Sequence, residues 1–129
     1  MEAADDIVSH HDRIAALDEQ GDALLTEGDR AGALKAYEES LALTRRLAAD
    51  DPDNGDLARD VSVSLERIGD IRFAGGDRAG ALRAYEESLE IARRLAADDP
   101  GDARLARDAS VGLDRIGNAY AAVATGRAR

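Results

Sequence analysis

Side chains able to support catalysis or bind a metal are few in this sequence, and their spacing is unfavourable. The two histidines, His10 and His11, are adjacent, so on a helix they point to different sides and lack the i, i+4 spacing of a metal-binding pair. The acidic turns at 50–53 and 98–100 lack the spaced ligands and the distal glutamate of an EF-hand loop. The repeated GDRAG segment is followed by no Lys-Ser/Thr pair, which a phosphate-binding loop requires. We therefore predict no catalytic residues, no metal site and no cofactor.

The composition narrows the classes of protein that remain. The chain has 129 residues and a net charge of −10, with 44% apolar residues, 3% aromatic residues and no cysteine. This length suits one domain, and the negative charge disfavours nucleic acid as a partner because phosphate is repelled. No apolar stretch approaches the roughly 20 residues that a membrane span needs. We predict a single cytoplasmic domain that binds neither nucleic acid nor membrane.

The apolar residues recur at helical spacing along almost the whole chain. In the middle of the sequence they fall at positions 61, 65, 68 and 71, steps of three or four that mark one face of a helix. Gly76 favours a helix end in the left-handed conformation, and Asp56 and Asp77 are predicted N-caps. The pattern predicts five helices joined by short loops, near 5–27, 30–50, 56–75, 78–98 and 103–125.

An internal repeat organises these helices. The segments 28–75 and 76–123 align without a gap and share 32 of 48 residues. The stretch before residue 28 follows the same register more faintly. A fixed period of this length indicates stacked units, each of which cannot bury its apolar face alone.

The repeated residues resemble the tetratricopeptide repeat. The resemblance rests on a leucine, an Ile-Gly pair, a Gly-Asp turn, a small residue, an aromatic residue, a second small residue and a closing Asp-Pro, here Leu65, Ile68-Gly69, Gly76-Asp77, Ala81, Tyr85, Ser88 and Asp99-Pro100. The period of 48 exceeds the usual 34 of that family because one heptad is added on each side of the Asp-Pro turn. The family implies an all-α, right-handed α-solenoid of antiparallel helix hairpins. We expect one domain over 1–129, with units 5–52 and 56–100 and a closing helix 103–125.

The resemblance also implies where a protein partner would bind. In the family, the first helix of each unit lines a concave groove. The corresponding positions are predicted to be basic at one end, acidic in the middle and apolar at the far rim. They are Asp18, Asp22, Leu25, Arg59, Val63, Glu66, Asp70, Phe73, Arg107, Val111, Asp114 and Asn118. Such a groove would repel an acidic tail, so we expect an interaction scaffold, without enzymatic activity, for a basic segment with an apolar anchor.

Two alternatives to a peptide-binding scaffold remain open at this point. The identity of 32 of 48 residues between the two segments is compatible with a duplicated or constructed array that has been selected for its fold alone and has no ligand. Self-association through the terminal helices is the other alternative, which leaves the chain a monomer or a weak homo-oligomer. Its candidate residues are Val8, Ile14 and Leu17 at one end and Tyr120 and Val123 at the other.

Overall fold

The protein is all-helical over the described part of the chain. A computed structural model describes the backbone of residues 2–128 and the side chains of residues 9–125. The five predicted helices are confirmed, and their ends lie within three residues of the predicted ones. They are α1 (Glu2–Thr26), α2 (Arg30–Asp50), α3 (Gly55–Ala74), α4 (Arg78–Asp98) and α5 (Ala103–Ala128).

Local sequence explains the sharp turns inside each helix pair. Gly28 and Gly76 adopt φ values of 86° and 93°, a left-handed conformation that glycine enters without steric cost. The next residue, Asp29 or Asp77, caps the following helix by accepting a hydrogen bond of 2.9 Å from the backbone N–H three residues later. Because the two turns repeat one another, α1 meets α2 in the same way as α3 meets α4.

The prediction that Asp56 caps α3 is wrong. Asn54 is the N-cap, and its side-chain oxygen accepts hydrogen bonds from the N–H groups of Asp56 and Leu57 at 3.1 and 3.2 Å. Asp56 instead lies in the first turn of the helix, where its carboxylate faces the positive end of the helix dipole. Both residue types suit a cap, so only the backbone path decides between them.

Consecutive helices pack against one another in antiparallel pairs. In the pair α3–α4, Asp70 contacts Tyr85 near the connecting turn, and Ser62 contacts Ser88 farther from it. The main buried cluster draws on α2, α3 and α4 and consists of Ala33, Tyr37, Leu41, Val61, Leu65, Ile68, Ile71 and Ala84. Within the described residues, none of the helices combines the length and the apolar content needed to cross a bilayer.

A tyrosine of the second helix lies directly over a glycine of the first helix in each pair. A Cβ atom added to Gly69 would lie 2.5 Å from Cε1 of Tyr85, and one added to Gly21 would lie 2.7 Å from Cε1 of Tyr37. Both distances are well below a normal carbon–carbon contact of about 3.5–4.0 Å. The absence of a side chain at these glycines therefore allows the aromatic ring to pack on the helix backbone.

Alternate helices run in the same direction and are joined by ion pairs. Arg67 on α3 lies 3.8 Å from Asp18 on α1, and Arg115 on α5 lies 3.3 Å from Glu66 on α3. These two pairs are related by the 48-residue period, since each member of the second pair is 48 residues after its counterpart. On the other side of the molecule, Arg45 of α2 bonds Glu87 of α4 at 2.6 Å.

Candidate binding surface

Five of the twelve predicted groove residues line one surface cleft between α3 and α5, with a volume of about 400 Å³. We call it the α3–α5 cleft. Two further residues, Tyr85 and Arg115, complete its wall. The five predicted residues are Asp70, Phe73, Val111, Asp114 and Asn118.

A second, smaller cleft of about 240 Å³ lies between α1 and α3 and contains two more of the predicted residues, Asp18 and Val63. His11, Asp60 and Arg67 also line this α1–α3 cleft. One carboxylate oxygen of Asp18 faces Arg67, whereas its Oδ1 is buried without a hydrogen-bond partner among the described residues. The predicted groove is thus divided into two clefts.

The remaining predicted groove residues line neither cleft. Arg59, expected to form a basic end, donates two hydrogen bonds to Asp108 of α5, from Nε at 2.8 Å and from Nη2 at 3.3 Å. The hydrogen bond to Asp108 raises the pKa of Arg59. Leu25 and Arg107 are exposed. Because the Arg59 charge is compensated by Asp108, the expected basic band is weaker than the residue types alone indicate.

The acidic middle band contains an arginine that the repeat pattern did not predict there. Arg115 donates from Nε to Oδ1 of Asp70 at 3.0 Å and from Nη1 to Glu66 at 3.3 Å. Burial disfavours the charge on Arg115, but the hydrogen bond to Asp70 and the nearby carboxylates outweigh it and raise the pKa of Arg115. A signal was present, since Arg115 is the repeat counterpart of Arg67 and each arginine directly follows an acidic groove position.

Asp22 and Asp70 also have a role inside each helix pair. Asp70 accepts a hydrogen bond of 2.6 Å from the hydroxyl of Tyr85, and Asp22 accepts the corresponding bond from Tyr37. Burial, followed by this hydrogen bond to Asp22, raises the pKa of Tyr37 to about 12. The same two causes raise the pKa of Tyr85. These carboxylates therefore anchor the tyrosine rings, in addition to any contact with a ligand.

The other acidic residues of the surface differ in environment. Burial raises the pKa of Glu66, and the nearby Arg115 opposes this shift only in part. Burial also raises the pKa of Asp60, as does the neighbouring Asp56. Asp114 is exposed in the α3–α5 cleft and forms no ion pair with the described residues. Asp114 is therefore the carboxylate of this cleft that is open to a cationic group.

Both terminal helices expose large apolar side chains, including Leu25 of α1, which is 42% exposed. At the α5 end, Tyr120 is 56% exposed and Leu113 is 48% exposed. At the α1 end, the prediction that Leu17 faces outward is wrong, because Leu17 is only 4% exposed and packs inside the helix pair. Ile14 and Val123 are half-buried, and the side chain of Val8 lies outside the described residues.

The surface offers binding chemistry in the form of carboxylates, guanidinium groups and a few apolar side chains. Over the residues that the structure describes, no group of three or more histidine, aspartate or glutamate side chains is placed to hold a metal ion. The side chains of this surface contact one another through ion pairs, such as Arg115 with Glu66, and through tyrosine hydrogen bonds, such as Tyr85 with Asp70.

The sequence matches no protein-family model, and no curated protein matches it.

Proposed function

We propose that this protein is a non-catalytic interaction module of the tetratricopeptide type, which binds a basic peptide segment with an apolar anchor. The main support for the proposal is the α3–α5 cleft, where five residues that the family resemblance implies as groove positions line one surface. An acidic protein without cysteine is compatible with the cytoplasm, where we place this module.

The proposed architecture is a right-handed solenoid. The right hand is what the family resemblance implies, and the regular stacking is supported by the recurrence of the same contacts one period apart. Arg67–Asp18 and Arg115–Glu66 join successive first helices, and the turn after Gly28 is repeated after Gly76. Equivalent contacts at a fixed interval are expected when each unit is displaced from the previous one by a constant rotation and translation.

The chemistry of the α3–α5 cleft indicates the kind of ligand. Two carboxylates, Asp70 and Asp114, and one guanidinium group, Arg115, line it. Arg115 is held by Asp70 and Glu66, so its charge is already compensated, whereas Asp114 is available. Phe73 and Val111 provide an apolar surface beside Asp114. A lysine or arginine next to an aliphatic or aromatic residue would satisfy both features.

The proposal is tested by titrating the protein with fluorescent peptides that combine basic and apolar residues, together with acidic peptides of equal length. We expect binding of the basic peptides that weakens as salt is added. Asp114→Asn should reduce the affinity about threefold, as expected for one exposed ion pair. Glu90→Gln is the matched control, because it removes one exposed carboxylate on α4 outside both clefts. Preference for acidic peptides, or equal effects of both substitutions, would contradict the proposal.

Self-association through a terminal helix is a second candidate function, favoured by the exposure of Leu113 and Tyr120. It is tested by light scattering coupled to size exclusion over a wide range of protein concentration. A mass of 13.7 kDa at all concentrations would exclude self-association, and a mass that rises with concentration would support it. A monomer that binds no peptide and is very stable to heat would favour an array with a structural role alone.

A further inference from the structure

The last helix, α5, carries an exposed surface that repeats the surface with which α3 contacts α4. Each residue of the α5 surface lies 48 positions after its counterpart on α3, and at four positions the two residues are identical. We call the exposed set the α5 stripe. It consists of Ala106, Ser110, Leu113 and Gly117, which correspond to Ala58, Ser62, Leu65 and Gly69 on α3.

On α3, this surface receives α4 through specific contacts. The hydroxyl of Ser62 donates to the carbonyl oxygen of Ser88 at 3.1 Å, and the hydroxyl of Ser88 donates to the carbonyl oxygen of Ser62 at 2.9 Å. The ring of Tyr85 lies against Gly69. Leu65 is 4% exposed and belongs to the core. The surface is therefore complementary to a helix with a tyrosine and a serine three residues apart.

On α5, the same groups face solvent. Ser110, Leu113 and Gly117 are exposed, and a Cβ atom at Gly117 would meet no heavy atom within 4 Å. The exposed Asn118 stands where α3 has Asp70, so its side-chain oxygen can accept a hydrogen bond from a tyrosine hydroxyl. Glycine in a helix interior is less favourable than alanine, and on α5 no packed ring among the described residues offsets that cost.

A second copy of the chain has no free helix of the matching kind to place on the α5 stripe. Both helices that carry the matching tyrosine, α2 and α4, already pack on the helices before and after them. The face of α1 that is left for another molecule exposes Arg13 and Gln20, the counterparts of the buried Val61 and Ile68 on α3. That face presents polar side chains and no tyrosine to the α5 stripe.

We propose that the α5 stripe is a docking site for an amphipathic helix of another protein, with a small residue, a tyrosine four positions later and a serine three positions after that. This is the spacing of Ala81, Tyr85 and Ser88 on α4. The tyrosine ring packs on Gly117, its hydroxyl bonds Asn118, and the serine bonds Ser110. The site adjoins the α3–α5 cleft and shares Asn118 with it, but the two differ in their ligands, because the stripe takes an apolar helix face and the cleft takes a basic segment.

The probe for this site is a labelled synthetic peptide with the sequence of residues 77–99, titrated into the full chain and followed by fluorescence anisotropy. We expect saturable binding of one peptide per chain. Gly117→Ala should weaken it at least about tenfold, since a methyl group against the ring overpacks the contact. Gly101→Ala is the matched control, because a Cβ there also meets no atom within 4 Å, and it should leave the affinity unchanged. Circular dichroism checks that both variants remain folded.

Three further measurements distinguish binding at the α5 stripe from binding elsewhere on the chain. A peptide with Tyr85→Ala should lose binding. The binding should not weaken as salt is added, because the chain and the peptide are both acidic, whereas binding of a basic peptide in the cleft should weaken. Amide chemical shifts should change at Ser110 and Gly117.

Several outcomes would overturn the proposal. Undetectable binding would do so, as would an affinity that Gly117→Ala leaves unchanged. Shift changes at Ser62 and Gly69 would mean that the peptide displaces α4 instead of occupying α5. A dimer of the chain alone that Gly117→Ala converts to a monomer would assign the α5 stripe to a second copy.

Discussion

Replacement of glycine by alanine at two equivalent positions, Gly69 and Gly117, should change stability in opposite directions. The two glycines lie one period apart on α3 and α5, and the same Arg-Ile pair precedes each of them. What differs is the neighbour. A Cβ at position 69 would lie 2.5 Å from Cε1 and 2.7 Å from Cδ1 of Tyr85, and a Cβ at position 117 would have no heavy atom within 4 Å.

The magnitude follows from two opposing effects. Alanine is favoured over glycine in a helix interior by about 1 kcal/mol, and this gain applies at both positions. At position 69 the added methyl group overpacks the site, which costs about 1–3 kcal/mol. The upper value is appropriate because the ring of Tyr85 is buried and its hydroxyl is held by Asp70. We therefore expect Gly69→Ala to destabilise the protein by about 2 kcal/mol and Gly117→Ala to stabilise it by about 1 kcal/mol.

Urea unfolding followed by far-UV circular dichroism measures both changes, and the difference of about 3 kcal/mol is well above the precision of the method. Gly21→Ala provides a second test, since its Cβ would lie 2.7 Å from the ring of Tyr37, and it should also destabilise. If Gly69→Ala and Gly117→Ala change the free energy of unfolding by the same amount, the close approach of the tyrosine ring does not determine the role of this glycine.

Three further predictions follow from the contacts within the helices. The hydroxyl of Ser40 is buried without a partner among the described residues, so Ser40→Ala should leave the free energy of unfolding unchanged or raise it. Ser88→Ala should lower it by about 1 kcal/mol, because its hydrogen bonds to Ser62 are lost. Equal effects of the two substitutions in urea unfolding would contradict this. Asn54→Ala should lower the free energy of unfolding by about 1 kcal/mol because it removes an N-cap. Asp56→Ala should lower it by less, about 0.5 kcal/mol. A larger loss for Asp56→Ala than for Asn54→Ala would mean that Asp56 is the cap. Burial raises the pKa of Glu66 above its ordinary 4.5. The difference in pKa therefore stabilises the folded protein fully below pH 4.5, where Glu66 is protonated. This stabilisation is lost as the pH rises through the raised pKa. Relative to Glu66→Gln, the wild-type protein should therefore lose stability between acidic and neutral pH, and parallel pH profiles of the two free energies of unfolding would refute the assignment.

The family resemblance anticipated which residues lie near one another in the α3–α5 cleft, but not the ion pairs among them. The resemblance to the tetratricopeptide repeat implies that Asp70, Phe73 and Asp114 are groove positions, and the structure brings them together in one cleft. The resemblance did not predict that Arg115 bonds Asp70 and Glu66. Whether a long arginine side chain turns toward a neighbouring helix depends on the distance and rotation between the helices, which a periodic pattern does not specify.

The sequence by itself determined the number of helices and placed their ends within three residues. Apolar residues at steps of three or four define each helical face, and Gly76 followed by Asp77 closes one helix and opens the next. These are local interactions between residues a few positions apart, so they can be derived without knowledge of the fold.

Only the tertiary structure decided which equivalent residues are covered. Leu65 and Leu113 occupy the same place in the repeat, yet Leu65 is in the core and Leu113 is 48% exposed. Ser40 and Ser88 are likewise equivalent, yet Ser88 bonds Ser62 while Ser40 faces a unit that has Ile14 at that place. The physical reason is that burial and hydrogen bonding belong to pairs of helices, whereas a position in a repeat specifies only one member of each pair.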